Sequence, residues 1–218
     1  MTFGLLNTSD SSERLIRSLT DQPLLVVLRP EQNDYQITFE NTRLCRQLDQ
    51  LVEAGVLHVE LAWSPHPCWS LLVEAILERH PQLRLGAASV STLPALQQVA
   101  NLGLGYAMSP LLDPELQSKA RHLCCVLVPG VMTPSEIRSA QALGCRAVKL
   151  FPASVLGIDY RRQISAPMGD LPFMVAAGGL RCTDLVPWLS AGFNAVALGR
   201  NVFVDDALDP EMKPWLTG

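Results

Sequence analysis

A chain of 218 residues, 48% hydrophobic and 17% charged, can bury a sizeable core as one domain spanning 1–218. Its net charge of −4, with arginines scattered rather than run together, argues against nucleic acid or an anionic membrane surface as the main partner and leaves a small-molecule substrate. No apolar stretch approaches the ~20 residues of a membrane span, and residues 1–17 lack a basic segment followed by an apolar one, so a cytoplasmic location is expected.

Residues 1–22 read as a helical lead-in, with Ser12 to Leu19 spaced as a short amphipathic helix capped by Ser11 or Ser12. After it, short apolar runs recur at Leu24 to Arg29, His58 to Trp63, Arg84 to Ser89, Tyr106 to Pro110, Leu123 to Pro129, Arg146 to Pro152, Phe173 to Gly179 and Ala195 to Arg200. Between them the apolar spacing turns helical, over 42–54, 68–80, 92–101, 114–121, 134–143, 159–168 and 183–191. Eight strands alternating with helices predict a closed parallel (β/α)8 barrel rather than an open sheet. Punctuation agrees: Gly55, Gly103, Gly144 and Gly192 stand where helices should close, and Thr133-Pro134-Ser135-Glu136 has the pattern of a capping box. Residues 205–218 form a tail too short for a domain.

Six cysteines form no C-x-x-C pair and share no zinc-site spacing with the four histidines, so neither a metal nor a cofactor is expected. Cys124 and Cys125, adjacent in an apolar run, would face opposite sides of a strand.

In such a barrel the chemistry lies where strands end, which singles out a few positions. Lys149 stands out among only three lysines, because Ala147, Val148, Leu150 and Phe151 surround it. Desolvation there would depress its pKa and free an amine to attack a carbonyl; the competing reading is a lysine that snorkels from the strand end. Glu60, in His58-Val-Glu-Leu-Ala-Trp63, is a second charge inside an apolar run. It is either a structural partner of an arginine or the acid–base group that Schiff-base chemistry at Lys149 requires. Arg29 ends the first run and could clamp a carboxylate or merely cap the surface. Ala177-Gly178-Gly179 and Leu198-Gly199-Arg200 end the seventh and eighth runs, where barrels commonly hold a phosphate on backbone N–H groups.

Val27-Leu-Arg29, Val59-Glu60, Gly86-Ala-Ala-Ser-Val90, Met108-Ser-Pro110, Pro129-Gly-Val-Met-Thr-Pro134, Lys149-Leu-Phe-Pro-Ala153, Gly157 and Ala177-Gly-Gly179, in that order, resemble the class I aldolases of the 2-keto-3-deoxy-6-phosphogluconate (KDPG) / 4-hydroxy-2-oxoglutarate (KHG) family. The resemblance implies a homotrimeric, cofactor-free enzyme that cleaves a 2-oxo acid to pyruvate and an aldehyde. By position it gives Lys149 the Schiff base, Glu60 the proton transfers, and Gly178 and Gly179 the phosphate. Ser89, Pro110, Phe151, Gly199 and Arg200 are expected to complete the pocket. Departures from the family pattern fall at Ala62, Ser64, Ala88, Ala177, Arg200 and Ser154. With Ser64 in place of an arginine, Arg29 becomes the expected carboxylate anchor. The rival readings are a sugar-phosphate isomerase or epimerase on the same fold, against which Lys149 argues, and a ligand-binding relative without catalysis.

Overall fold

The computed structural model describes residues 8–36 and 38–215. Nine parallel strands form one sheet: β1 (Leu24–Leu28), β2 (His58–Ala62), β3 (Arg84–Ala88), β4 (Ala107–Met108), β5 (Leu127–Val128), β6 (Gly130–Val131), β7 (Ala147–Leu150), β8 (Phe173–Ala177) and β9 (Ala195–Leu198). Their spatial order is β5-β4-β3-β2-β1-β9-β8-β7-β6. The two ends of that order, β5 and β6, are separated in the chain by Pro129 alone. Proline has no N–H to give, so the ladder breaks there, yet its carbonyl accepts from Lys149 N at 2.8 Å. β5 and β6 are therefore one interrupted stave, and the sheet closes into the eight-stave barrel the sequence rhythm predicts.

The helices are α1 (Thr8–Asp21), α2 (Arg43–Glu53), α3 (Trp69–Arg79), α4 (Leu93–Asn101), α5 (Pro114–His122), α6 (Pro134–Ala142), α7 (Ala153–Leu156), α8 (Tyr160–Met168) and α9 (Leu185–Ser190). Thr133 and Glu136 form the expected capping box, and all four predicted helix-closing glycines have positive φ. The one-turn α7 is new, because four residues are too few to show a period. The fifth apolar run needs correction: Leu123 closes α5 and Cys124 turns the chain at φ 53, so Cys124 and Cys125 do not share a strand. The tail adds a two-stranded hairpin, Phe203–Val204 with Ala207–Leu208, and a 3-10 turn at Pro210–Trp215.

Strand alternation sorts the core into two layers. One cluster, with Val26, Leu61, Leu85, Val148, Ala176 and Val196, packs the outer face of the barrel against the helices. The other, with Leu25, Tyr106, Met108, Val126, Val128, Ala147, Val175 and Ala197, fills the interior. Leu15 and Leu19 of α1 belong to this interior set. The lead-in helix is thus a plug across the N-terminal end of the barrel, longer than predicted and pinned where Ser18 Oγ meets His58 Nε2 at 2.5 Å. With that end closed, the opposite mouth is left for a ligand.

Candidate active site

At the C-terminal mouth lies a cavity of about 240 Å³, and all ten residues predicted for the site line it: Arg29, Glu60, Ser89, Pro110, Lys149, Phe151, Gly178, Gly179, Gly199 and Arg200. Larger cavities of about 670 and about 430 Å³ flank α1 at the other end, but neither is lined by a lysine or a carboxylate. Size alone does not mark the site here. The strands are slightly shorter than the apolar runs, and Arg29, Ser89, Pro110, Phe151, Gly179 and Arg200 sit just beyond them, in the loops that form the rim.

Lys149 and Glu60 approach the cavity from opposite walls, since β7 is the sixth stave and β2 the second. Lys149 is 8% exposed and Glu60 1%. Burial lowers the pKa of Lys149, opposed by the charge of Glu60 and assisted by that of Arg29. Burial likewise raises Glu60, to about 7, against the pull of Lys149. Each group is thereby shifted toward its neutral form, which favours a nucleophilic amine and a carboxyl able both to take and to give a proton. The Lys149 Nζ lies 4.9 Å from the centroid of the Phe151 ring, two residues on along the same face, and this cation–π contact favours the charged form.

The arc between these walls carries three glycines and two arginines. Gly178 and Gly179 follow β8 with φ of 96 and 79, a conformation other residues rarely adopt. A Cβ at Gly179 would meet Ser154 Oγ at 2.1 Å, which gives Ser154, unassigned from sequence, a place: it packs α7 against the glycine turn. On the next two staves stand Gly199-Arg200 and Arg29, and neither arginine is in an ion pair among the described residues. Arg29 Nη1 donates to Ser89 Oγ at 3.4 Å, and Ser89 itself is held at φ 63. The segments that follow the two glycine turns are three-residue 3-10 turns, Cys182–Asp184 and Arg200–Val202, rather than long helices.

Sequence reasoning missed Asn201, which lines the cavity and whose Nδ2 reaches Leu180 O at 3.5 Å, tying together the loops after β8 and β9. A polar residue directly after Gly199-Arg200 was the only signal. Of the departures, Ala88 and Ala177 line the cavity, whereas Ser64 turns away to accept from His66 N at 3.3 Å. Among the described residues no cluster of three or more His, Cys, Asp or Glu is placed to hold a metal.

The sequence profile of a family described as KDPG and KHG aldolase matches residues 19–212. A probable 2-dehydro-3-deoxy-6-phosphogalactonate aldolase from Rhizobium meliloti is 29% identical over 189 residues, 84% of this chain and 82% of the relative. The 2-dehydro-3-deoxy-6-phosphogalactonate aldolase of Escherichia coli is 25% identical over 185 residues, 84% and 86% of the two chains. A KDPG aldolase from Legionella pneumophila, solved with pyruvate captured at low pH as a covalent carbinolamine intermediate, superposes with a TM-score of 0.75 at 19% identity, covering 97% of this chain and 95% of that one.

Proposed function

We propose, since the chain belongs to the KDPG and KHG aldolase family and is accordingly a class I aldolase, that Lys149 is its Schiff-base residue and Glu60 its proton relay. The observation that carries this reading is the placement of both groups, buried and shifted toward neutrality, on facing walls of one cavity. The neutral amine of Lys149 attacks C2 of a 2-oxo acid, and Glu60 moves the protons that turn the carbinolamine into an iminium and release water. Glu60 takes the proton of the C4 hydroxyl, the C4–O bond becomes a carbonyl as the C3–C4 bond breaks, the C4 fragment leaves as an aldehyde, and the bond's electron pair is drawn into the iminium to give an enamine. The remaining enamine takes a proton at C3, and hydrolysis frees pyruvate and Lys149.

Arg29 holds the substrate carboxylate and so fixes C2 beside Lys149, in the loop on the side of Ser89. Gly178, Gly179 and Gly199, with Arg200 and the newly found Asn201, hold a phosphate at the far end of the substrate. This favours a phosphorylated 2-keto-3-deoxy sugar acid, of the gluconate or galactonate series that the relatives' names carry, over the dicarboxylate KHG. The test is to compare kcat/KM for the phosphorylated substrates and for KHG by pyruvate release. The phosphorylated ones should be favoured, and Arg200→Ala should cut that preference about tenfold or more, as expected for one charge-assisted phosphate contact. Equal use of KHG, or an unchanged preference in Arg200→Ala, contradicts this assignment.

The enzyme is cytoplasmic and homotrimeric in this reading. All six cysteines are unpaired, consistent with a reducing compartment. Leu111, Met132 and Val155 follow β4, β6 and β7, neighbouring staves, and are exposed apolar residues on the same rim, the kind of surface a subunit contact covers. A solution mass other than three times 23.8 kDa would contradict the trimer.

A further inference from the structure

The barrel interior holds a phenol that the mechanism above leaves unused. Tyr106, immediately before β4, is 1% exposed and sits among Leu25, Met108, Val126 and Ala177. Its hydroxyl has no hydrogen-bond partner there, and neither has Oε1 of Glu60. The two are brought together by register. Glu60 of β2 is paired with Gly86 of β3, and β4 lies on the other side of β3 through Ala87 and Ala107. Tyr106 reaches back across β3 at Gly86: a Cβ there would stand 2.5 Å from Tyr106 Cζ, the ring carbon that bears the hydroxyl, and 2.7 and 2.8 Å from the two Cε atoms. The missing side chain of Gly86 is the slot the ring occupies. Its hydroxyl end is therefore delivered to the strand position directly beside Glu60.

We propose that the Tyr106 hydroxyl donates the hydrogen bond that orients the Glu60 carboxylate for proton transfer, which makes Tyr106 a positioning residue of the aldolase reaction. The inference rests on Glu60 being the proton relay. Two buried polar atoms without partners are each costly, and a hydrogen bond between them, direct or through one bridging water, would satisfy both. Burial, and then the charge of Glu60, push Tyr106 well above 10, so the phenol keeps its proton and remains a donor throughout the working range.

The other charged or titratable groups bearing on Glu60 are few. Lys149 faces it from β7, and Arg29 at the end of β1 acts on Lys149. His58, two residues back on β2, bonds Ser18 and is held neutral, pushed by burial down to about 4. A donor to the carboxylate favours its ionised form, so Tyr106 counteracts the burial that raises Glu60. Removing the donor must raise the pH at which Glu60 becomes able to accept a proton.

The experiment is the pH profile of kcat for the wild type, Tyr106→Phe and Glu60→Gln. Tyr106→Phe keeps the ring in its slot and should move the ascending limb up by about one pH unit, the size expected for one charge-assisted hydrogen bond. Activity at pH 7 then falls about fivefold and recovers on the alkaline plateau. Tyr106→difluorotyrosine, a stronger donor of the same shape, should move the limb down and keeps the test available should Tyr106→Phe fold poorly. An unmoved limb, or an equal loss at every pH, overturns the proposal and leaves Tyr106 a packing residue. A Glu60→Gln enzyme with the wild-type profile overturns instead the relay role on which it rests, so the two failures are distinguishable.

Discussion

Lys149 and Glu60 are charged side chains buried at 8% and 1% exposure, and the chain sustains them at a cost in stability. The direction of the Glu60 shift makes that cost measurable. Its carboxyl ionises near 7 in the fold against 4.5 unfolded, because burial disfavours the charge. A raised carboxyl contributes stability that is fully present below pH 4.5 and is lost as pH rises through about 7. Glu60→Gln removes that titration, so the variant should gain on the wild type between pH 5 and pH 8 when unfolding is followed in urea. A stability difference that stays flat over this interval would contradict a buried, upshifted Glu60. Both ionisable residues were legible in the sequence, since a charge inside an apolar run has few structural explanations. Tyr106 was not: an aromatic residue in an apolar run reads as core, and its link to Glu60 exists only through the cross-strand register at Gly86.

At the level of elements, the proposed anion-binding arc depends on how β7 and β8 exit the barrel. The turn at Gly178-Gly179 and the short α7 are fitted together, since Ser154 N donates to Gly178 O at 3.1 Å and Ser154 Oγ occupies the space a Cβ on Gly179 would need. Gly179→Ala therefore meets two penalties, a left-handed backbone at φ 79 and a clash with Ser154. It should destabilise the protein by about 1–3 kcal/mol and weaken the phosphorylated substrate in KM. Adding Ser154→Gly should restore the steric part and leave the backbone part. Equal destabilisation of the single and double variants in urea would show that the packing against α7 is unimportant. The glycines were visible in the sequence as strand-end punctuation. Their partner was not, because α7 is a single turn and Ser154 lies 25 residues away from Gly179 in the chain.

For the whole molecule, the alternation of eight apolar runs with seven helical patterns was enough to read a closed barrel, because each run carries its own boundary signals in caps and glycines. What the rhythm did not show was how the barrel is finished at its two ends. Closure passes through Pro129, where one stave is split into β5 and β6, and the N-terminal segment turns out to be the plug of the interior rather than an appendage. Plugging one end directs ligands to the mouth where Lys149 and Glu60 face each other from the sixth and second staves. On the proposed reading, this geometry makes Lys149 the amine that bonds covalently to the substrate. That assignment is tested by incubating the protein with pyruvate and borohydride and mapping the product by mass spectrometry. A reduced pyruvate adduct on Lys149, absent from Lys149→Met, is the predicted result; no adduct, or one on Lys119 or Lys213, would contradict the account.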